Sequence, residues 1–174
     1  LMQSLLEQGA VHSALITADT FDYEIVDKVY TPYDNLSIMV SLKPDGSTEK
    51  EVVASIGESL RAGWNYPQDV SRMKEIFRAP SLQLVTFTIT EKGYALTDLD
   101  GNWLPAAKAD FSVGPGGCTH AMGWVAALLW ERYQAGAFPL AVVSTDNCSQ
   151  NGAKLRKGVL TMAEQWLHHG SVNR

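Results

Sequence analysis

The order of apolar runs in the second half of the chain constrains the fold most. Leu82-Gln83-Leu84-Val85-Thr86-Phe87-Thr88-Ile89-Thr90 is dense in β-branched and aromatic residues and predicts a strand that stops at Glu91-Lys92-Gly93. Leu140-Ala141-Val142-Val143-Ser144 is a short continuous apolar run, the pattern of a fully buried strand. Between them, Thr119 is the expected N-cap of a helix from His120 to Gln134, closed by Gly136. After a turn from Asp146 to Gln150, a second helix is expected from Asn151 or Gly152 to about His169. Strand, helix, strand, helix implies a parallel sheet with helices packed on it, so the expected class is α/β. The polar, glycine-rich stretch 95–117 reads as a long loop.

The first half is less regular. LMQSLLEQGA reads as the last turns of an amphipathic helix ended by Gly9. Ser13 to Thr17 suits a buried strand, with Asp19 directly after it. Leu36 to Leu42 alternates apolar and polar residues as a half-covered strand should, Pro44-Asp45-Gly46 is a turn, and Val52 to Ile56 resumes in extended form. Residues 36–56 are therefore expected to form an antiparallel hairpin. Gly63 and Pro67 bracket a loop, and Gln68 to Ala79 places Val70, Met73, Ile76 and Phe77 on one helical face before Pro80 ends the helix. With no repeat or low-complexity tract, one domain is the economical reading.

The net charge of -5 and the lack of a basic run argue against nucleic acid and anionic membranes as partners. No apolar stretch reaches the roughly 18 residues that a membrane span needs, and the N-terminus lacks the form of a signal peptide. Cys118 and Cys148 stand outside any zinc-type spacing, so neither a metal nor a disulfide is expected; two buried thiols in a cytoplasmic protein is the reading.

Ligands of open α/β sheets bind beyond the carboxyl ends of the strands. Three such ends are polar: Thr17-Ala18-Asp19, Thr88-Ile89-Thr90-Glu91 and Ser144-Thr145-Asp146-Asn147. The plainer account is that Asp19 caps the next element and Asp146 makes an Asx turn. Asn147 and Asn151, four positions apart around a strand-to-helix turn, are neutral donors of the kind that polarises a carbonyl oxygen. A capping asparagine beside a glycine-assisted turn explains the pair almost as well. His120 suits a capping role better than acid–base work, and His168 and His169 suit a helix C-terminus. Trp124, Trp130 and Tyr133 fall at helical spacing and read as core. No G-x-G-x-x-G or Walker loop is present.

Two landmarks carry a family resemblance. Ser81 to Tyr94, with its strand and Thr90-Glu91-Lys92-Gly93-Tyr94 turn, resembles the T-E-x-G-Y region of the long-chain mannitol dehydrogenases. Val142-Val143-Ser144-Thr145-Asp146-Asn147 followed by Asn151-Gly152 resembles that family's S-x-D-N-x-x-x-N-G stretch, in the same order and at the same separation. Val29-Tyr30-Thr31 is similar to the L-Y-T element before its hairpin.

The resemblance implies a Rossmann-like domain with a mostly parallel sheet, helices and a β-hairpin. It makes residues 1–174 part of a cofactor-binding domain whose first strand and glycine-rich loop would precede Leu1. A helical C-terminal domain carrying the catalytic base would follow Arg174. The implied activity is hydride transfer between NAD or NADP, NAD preferred, and a secondary alcohol or ketone of a sugar alcohol or sugar acid. The substrate pairs are of the fructuronate/mannonate or fructose/mannitol type, with a mild preference for a hexuronate. Carried over by motif, Asn147 would bond the reacting oxygen, Asn151 would line the same cleft, and Glu91 would lie near the nicotinamide and the proton path. Thr88, Thr90 and Ser144 would border the cofactor, and Asp19 would contact the adenosine ribose. Substrate choice is expected to rest largely with the other domain. The chain by itself is expected to bind NAD poorly, to turn over no polyol and to self-associate. The contrasting expectation is a noncatalytic α/β binding or interaction domain.

Overall fold

The computed structural model describes residues 2–173. The chain forms two compact units, residues 1–70 and 71–174, and the division falls inside a helix.

In the first unit, α1 (Met2–Glu7) ends before Gly9, whose φ of +68° lies where glycine bears no Cβ penalty. Strand β1 (Leu15–Asp19) runs parallel to β4 (Ile56–Arg61), with Thr17 opposite Ser59. The sequence reading missed β4, because Ile56 and Leu60 are its only large apolar residues and Gly57 weakens strand propensity. The glycine has a reason: a Cβ at 57 would sit 2.7 Å from the Ala14 Cβ. Between these strands lie a π-helical turn (Ile25–Tyr30), a 3-10 turn (Thr31–Tyr33) and the expected antiparallel hairpin of β2 (Ser37–Leu42) and β3 (Thr48–Val53). Its turn is closed by Asp45, whose Oδ1 accepts from the Ser47 amide and hydroxyl. The hairpin stops at Val53, and Ile56 belongs to β4 instead. The expected half-covered strand is not found. Ile38, Leu42 and Val52, which share one face, are 66%, 81% and 58% exposed. Alternation marks which face is apolar; it does not supply a cover.

Helix α2 (Pro67–Arg78) buries Val70, Met73 and Phe77 as predicted, with Ile76 half-buried. In the second unit, β5 (Leu84–Phe87) and β6 (Ala141–Ser144) pair in parallel, Leu84 opposite Ala141 and Phe87 opposite Ser144. β5 is about half as long as expected, because Thr90 turns to a φ of +62° and Thr90–Tyr94 winds into a short helix, α3. β6 is covered on one face only: Val142 and Ser144 are half-buried while Ala141 and Val143 are exposed. The stretch expected as a long loop contains α4 (Pro105–Val113), with proline at its first position, and a 3-10 turn at Gly114–Gly116. Its helical core, Pro-Ala-Ala-Lys-Ala, was masked by the glycines and acidic residues around it.

Helix α5 (Ala121–Gly136) is capped by His120, not Thr119: the His120 Nδ1 accepts from the Met122 amide at 3.1 Å. Thr119 is taken by Asp110, a buried carboxylate that accepts from the amides of Thr119 and His120, both at 2.9 Å. Helix α6 (Asn151–His168) matches its prediction and buries Leu155, Met162 and Trp166 against Met122, Val125 and Ala126 of α5. A Cβ at Gly158 would lie 2.7 Å from the Met122 sulfur, so this glycine permits the close approach. The aromatic triplet of α5 is not wholly core: Trp124 is buried, but Tyr133 is 57% exposed and stacks on Trp130. Cys118 and Cys148 are free thiols, the first buried and the second half-buried. Among the described residues no helix is long and apolar enough to cross a membrane, and no cluster of three or more His, Cys, Asp or Glu could hold a metal.

Candidate functional site at the ends of β5 and β6

Because β5 and β6 are parallel, their carboxyl ends emerge at one edge, and hydrogen bonds lock them together. The Asp146 carboxylate accepts from the amides of Ile89 (3.0 Å) and Thr90 (2.9 Å) and from the Tyr94 hydroxyl. The Asx turn expected at Asp146 is thus replaced by a bridge to the other strand end. Tyr94 also shares a 2.7 Å hydrogen bond with the Ser144 hydroxyl. Thr88 and Thr145 meet through their hydroxyls at 2.7 Å, and the Thr145 hydroxyl donates to the Phe87 carbonyl. Hydrogen bonds from Tyr94 and from the Ile89 and Thr90 amides hold the Asp146 carboxyl below the usual carboxylate range. Burial, and then the Asp146 carboxylate, push Tyr94 up to about 12, so the phenol stays a donor.

The two asparagines differ. The Asn151 amide nitrogen donates to the carbonyls of Asp146 (2.8 Å) and Ser144 (3.3 Å), and its Oδ1 accepts from the Gly152 amide. Both of its N–H donors are engaged in holding the strand end, so it does not present a free donor to a cleft. Asn147 is exposed and makes no side-chain hydrogen bond among the described residues. It is the amide left open at this edge.

Glu91 forms an ion pair with Lys154 of α6. The two sit in a cleft of about 320 Å³ between α3, the 95–103 segment and α6, together with Tyr94, Thr97, Trp103 and Lys157. Asp19 lies in the first unit, where its Oδ1 accepts from the amides of Phe21 and Asp22, the capping role that its position allowed. Tyr94 and Lys154 were missed as site residues, since their partners lie 50 to 63 positions away in the chain. The one available signal was Tyr94 closing the first landmark.

His120 borders this region and provides a pH test. Its Nε2 bonds to the Ala95 carbonyl at 3.0 Å while Nδ1 accepts from Met122, so the neutral ring fills both roles. Burial lowers its pKa below the ordinary value near 6.5. A depressed histidine binds its proton more readily when unfolded, so stability falls as pH drops below 6.5 and through the folded-state pKa. Urea titrations at pH 7.5 and 5 should show this loss and its attenuation in His120→Asn. An identical pH slope in the variant would remove His120 from the account.

No family model matches the chain. Over 174 residues, the whole chain, it is 48% identical to the D-mannonate oxidoreductase of Thermotoga maritima, of which it covers 32%. It is 32% identical over 134 residues to the mannitol 2-dehydrogenase of Cereibacter sphaeroides, a match covering 75% of the chain and 27% of that protein. The ternary complex of Pseudomonas fluorescens mannitol 2-dehydrogenase with NAD and D-mannitol superposes with a TM-score of 0.76 over 95% of the chain and 34% of that structure, at 24% identity. Parallel strands flanked by helices, with polar residues gathered at their carboxyl edge, define a Rossmann-like α/β protein. The chain belongs to the long-chain mannitol dehydrogenase family, and it spans about a third of the length of the relatives it matches.

Proposed function

We propose that residues 1–174 form part of the Rossmann-type cofactor-binding domain of an NAD-dependent dehydrogenase acting on the secondary alcohol or ketone of a sugar acid of the mannonate/fructuronate type. The observation that carries the reading is the open Asn147 amide at the end of β6, beside a strand edge where Tyr94, Ser144, Asp146 and Asn151 are already paired. The edge fits a nicotinamide cofactor in its hydroxyl set: Thr88, Thr90 and Ser144 present neutral oxygens, and the Asp146 carboxylate is already taken up by three donors. When bound, that cofactor supplies or accepts the hydride.

The chain's own residues then have distinct tasks. Asn147 donates to the substrate oxygen as negative charge grows there. Asn151 and Asp146 position Asn147 by fixing the turn that carries it. Glu91, 68% exposed and facing Lys154, stands where a proton can pass between site and solvent. The choice of a sugar acid over a neutral polyol follows the 48% identity to a D-mannonate oxidoreductase. Two free thiols accord with action in the cytoplasm.

The test is an assay of the full-length protein with NAD and with NADP, offering D-mannonate and D-mannitol. Reduction of the cofactor with D-mannonate, faster with NAD, is the expected result. Failure to reduce either cofactor with any polyol or sugar acid would overturn the reading.

A further inference from the structure

The cleft below the strand edge holds two lysines, Lys154 and Lys157, that the hydride-transfer reading does not use. Lys154, Lys157, Gly158 and Thr161 of α6 line it, and their spacing of three, four and seven puts them on one helical face. Asn151, one turn earlier on that face, is the residue that pins the end of β6. The cleft also meets the strand edge at Tyr94, which lines it and bonds to Ser144 and Asp146, the residue before Asn147.

Its charges do not cancel. Glu91 pairs with Lys154, but Lys157 has no carboxylate partner among the described residues. One Glu and two Lys leave the cleft with a net charge of about +1 in a chain whose total is -5. The opposite wall offers an aromatic face and hydroxyls, which suit a polyhydroxylated chain. Trp103, 44% exposed, is fixed by a bridge to Thr97 and an edge-to-face contact with Phe111 at 5.0 Å. Thr97 and Thr161 add hydroxyls on either side. An exposed aromatic face, two hydroxyls and one uncompensated ammonium fit a polyhydroxylated molecule that carries a carboxylate.

We propose that this cleft receives the carboxylate end of the sugar-acid substrate, with Lys157 as the group that binds it. This rests on the dehydrogenase reading. It moves part of the substrate choice, expected above to lie with the other domain, onto α6. Lys154 is less available, because the incoming carboxylate would compete with Glu91.

Calorimetry on the full-length protein tests it, with D-mannonate and D-mannitol titrated in the presence of NADH, which prevents turnover of either alcohol. Lys157→Met should weaken D-mannonate by about 10-fold, the low end for a charge-assisted hydrogen bond at an exposed position. D-Mannitol should change by less than about twofold, and Lys157→Arg should retain most of the D-mannonate affinity because it keeps the charge. In hydride-transfer assays the same loss should appear in KM for D-mannonate, with kcat nearly unchanged. No D-mannonate binding by the wild type, an unchanged affinity in Lys157→Met, or an equal loss for D-mannitol would each sink the proposal. Hydride transfer that is indifferent to Lys157→Met removes the cleft and leaves the dehydrogenase reading. Lys157-dependent binding without any hydride transfer does the reverse.

Discussion

Arg132→Lys should lower the stability of the protein by about 3–5 kcal/mol, although it keeps the charge. Arg132 is 2% exposed, and all five of its N–H groups donate to main-chain carbonyls. Nε reaches Phe138, one terminal nitrogen reaches Phe77 and Ala79, and the other reaches Leu82 and Pro139, all at 2.8–2.9 Å. One side chain on α5 thereby holds the end of α2, the entry to β5 and the entry to β6. Lysine has three donors around a single point, so at least two of those carbonyls lose their partner in a buried setting. Each such loss costs roughly 1–3 kcal/mol. Arg156→Lys, on the exposed side of α6, should change stability by less than about 0.5 kcal/mol and serves as the control. Urea unfolding of the two variants reads the difference. A loss below about 1 kcal/mol in Arg132→Lys would mean that water replaces the lysine's missing contacts.

That clamp also shows what could be read from the sequence and what could not. The α/β alternation was legible because Leu84–Phe87, Ala141–Ser144 and the apolar stripes of α5 and α6 carry local signals of period and propensity. The role of Arg132 was not, since its partners lie as far as 55 positions away and are main-chain atoms that any residue would supply. Asp110 was hidden because its partners too are main-chain amides that any residue would supply; it displaced Thr119 from the cap of α5, leaving His120 there. Helix α4 was missed for a local reason: nine residues with a proline start, between Gly101 and Gly114, look more like loop than helix. β4 was missed because its apolar content is low and a steric need at Gly57 overrode propensity.

The two landmarks of the sequence prove to be a single hydrogen-bonded unit. Tyr94, at the end of T-E-K-G-Y, bonds to Ser144 and Asp146 of the second landmark, and Asp146 in turn takes the amides of Ile89 and Thr90. Gly93 suits the tight turn after β5, because a Cβ there would lie 3.1 Å from the Ile89 side chain, which would have to give way by a few tenths of an ångström. Asn151 closes the arrangement from α6. The motifs could be recognised as patterns, but the arrangement within them needed coordinates: Asn151 and Asp146 tie the strand ends, Glu91 pairs with Lys154, and the Asn147 amide makes no side-chain hydrogen bond among the described residues.

Under the proposed dehydrogenase reading, Asn147 is the residue whose substitution should affect activity most. In hydride transfer to a ketone, negative charge develops on the substrate oxygen, and a fixed neutral donor stabilises it more than it stabilises the ground state. An amide serves at any physiological pH, and the turn carrying this one is held by Asp146 and Asn151. In the full-length enzyme Asn147→Asp should lower kcat/KM by about 10²–10³-fold, the range for losing one oxyanion donor. Its carboxylate replaces a donor with an acceptor and repels the forming alkoxide. Asn147→Ala should be less harmful, because it removes the donor without adding repulsion. Cofactor affinity should change little in either variant. Stability should also hold within about 0.5 kcal/mol, since the side chain is exposed and makes no hydrogen bond among the described residues. Thermal unfolding of the variants therefore separates the two accounts of this residue. A clear loss of stability with near-normal kcat/KM would make Asn147 a structural element of the turn, whereas intact stability with the predicted rate loss assigns it to the substrate oxygen.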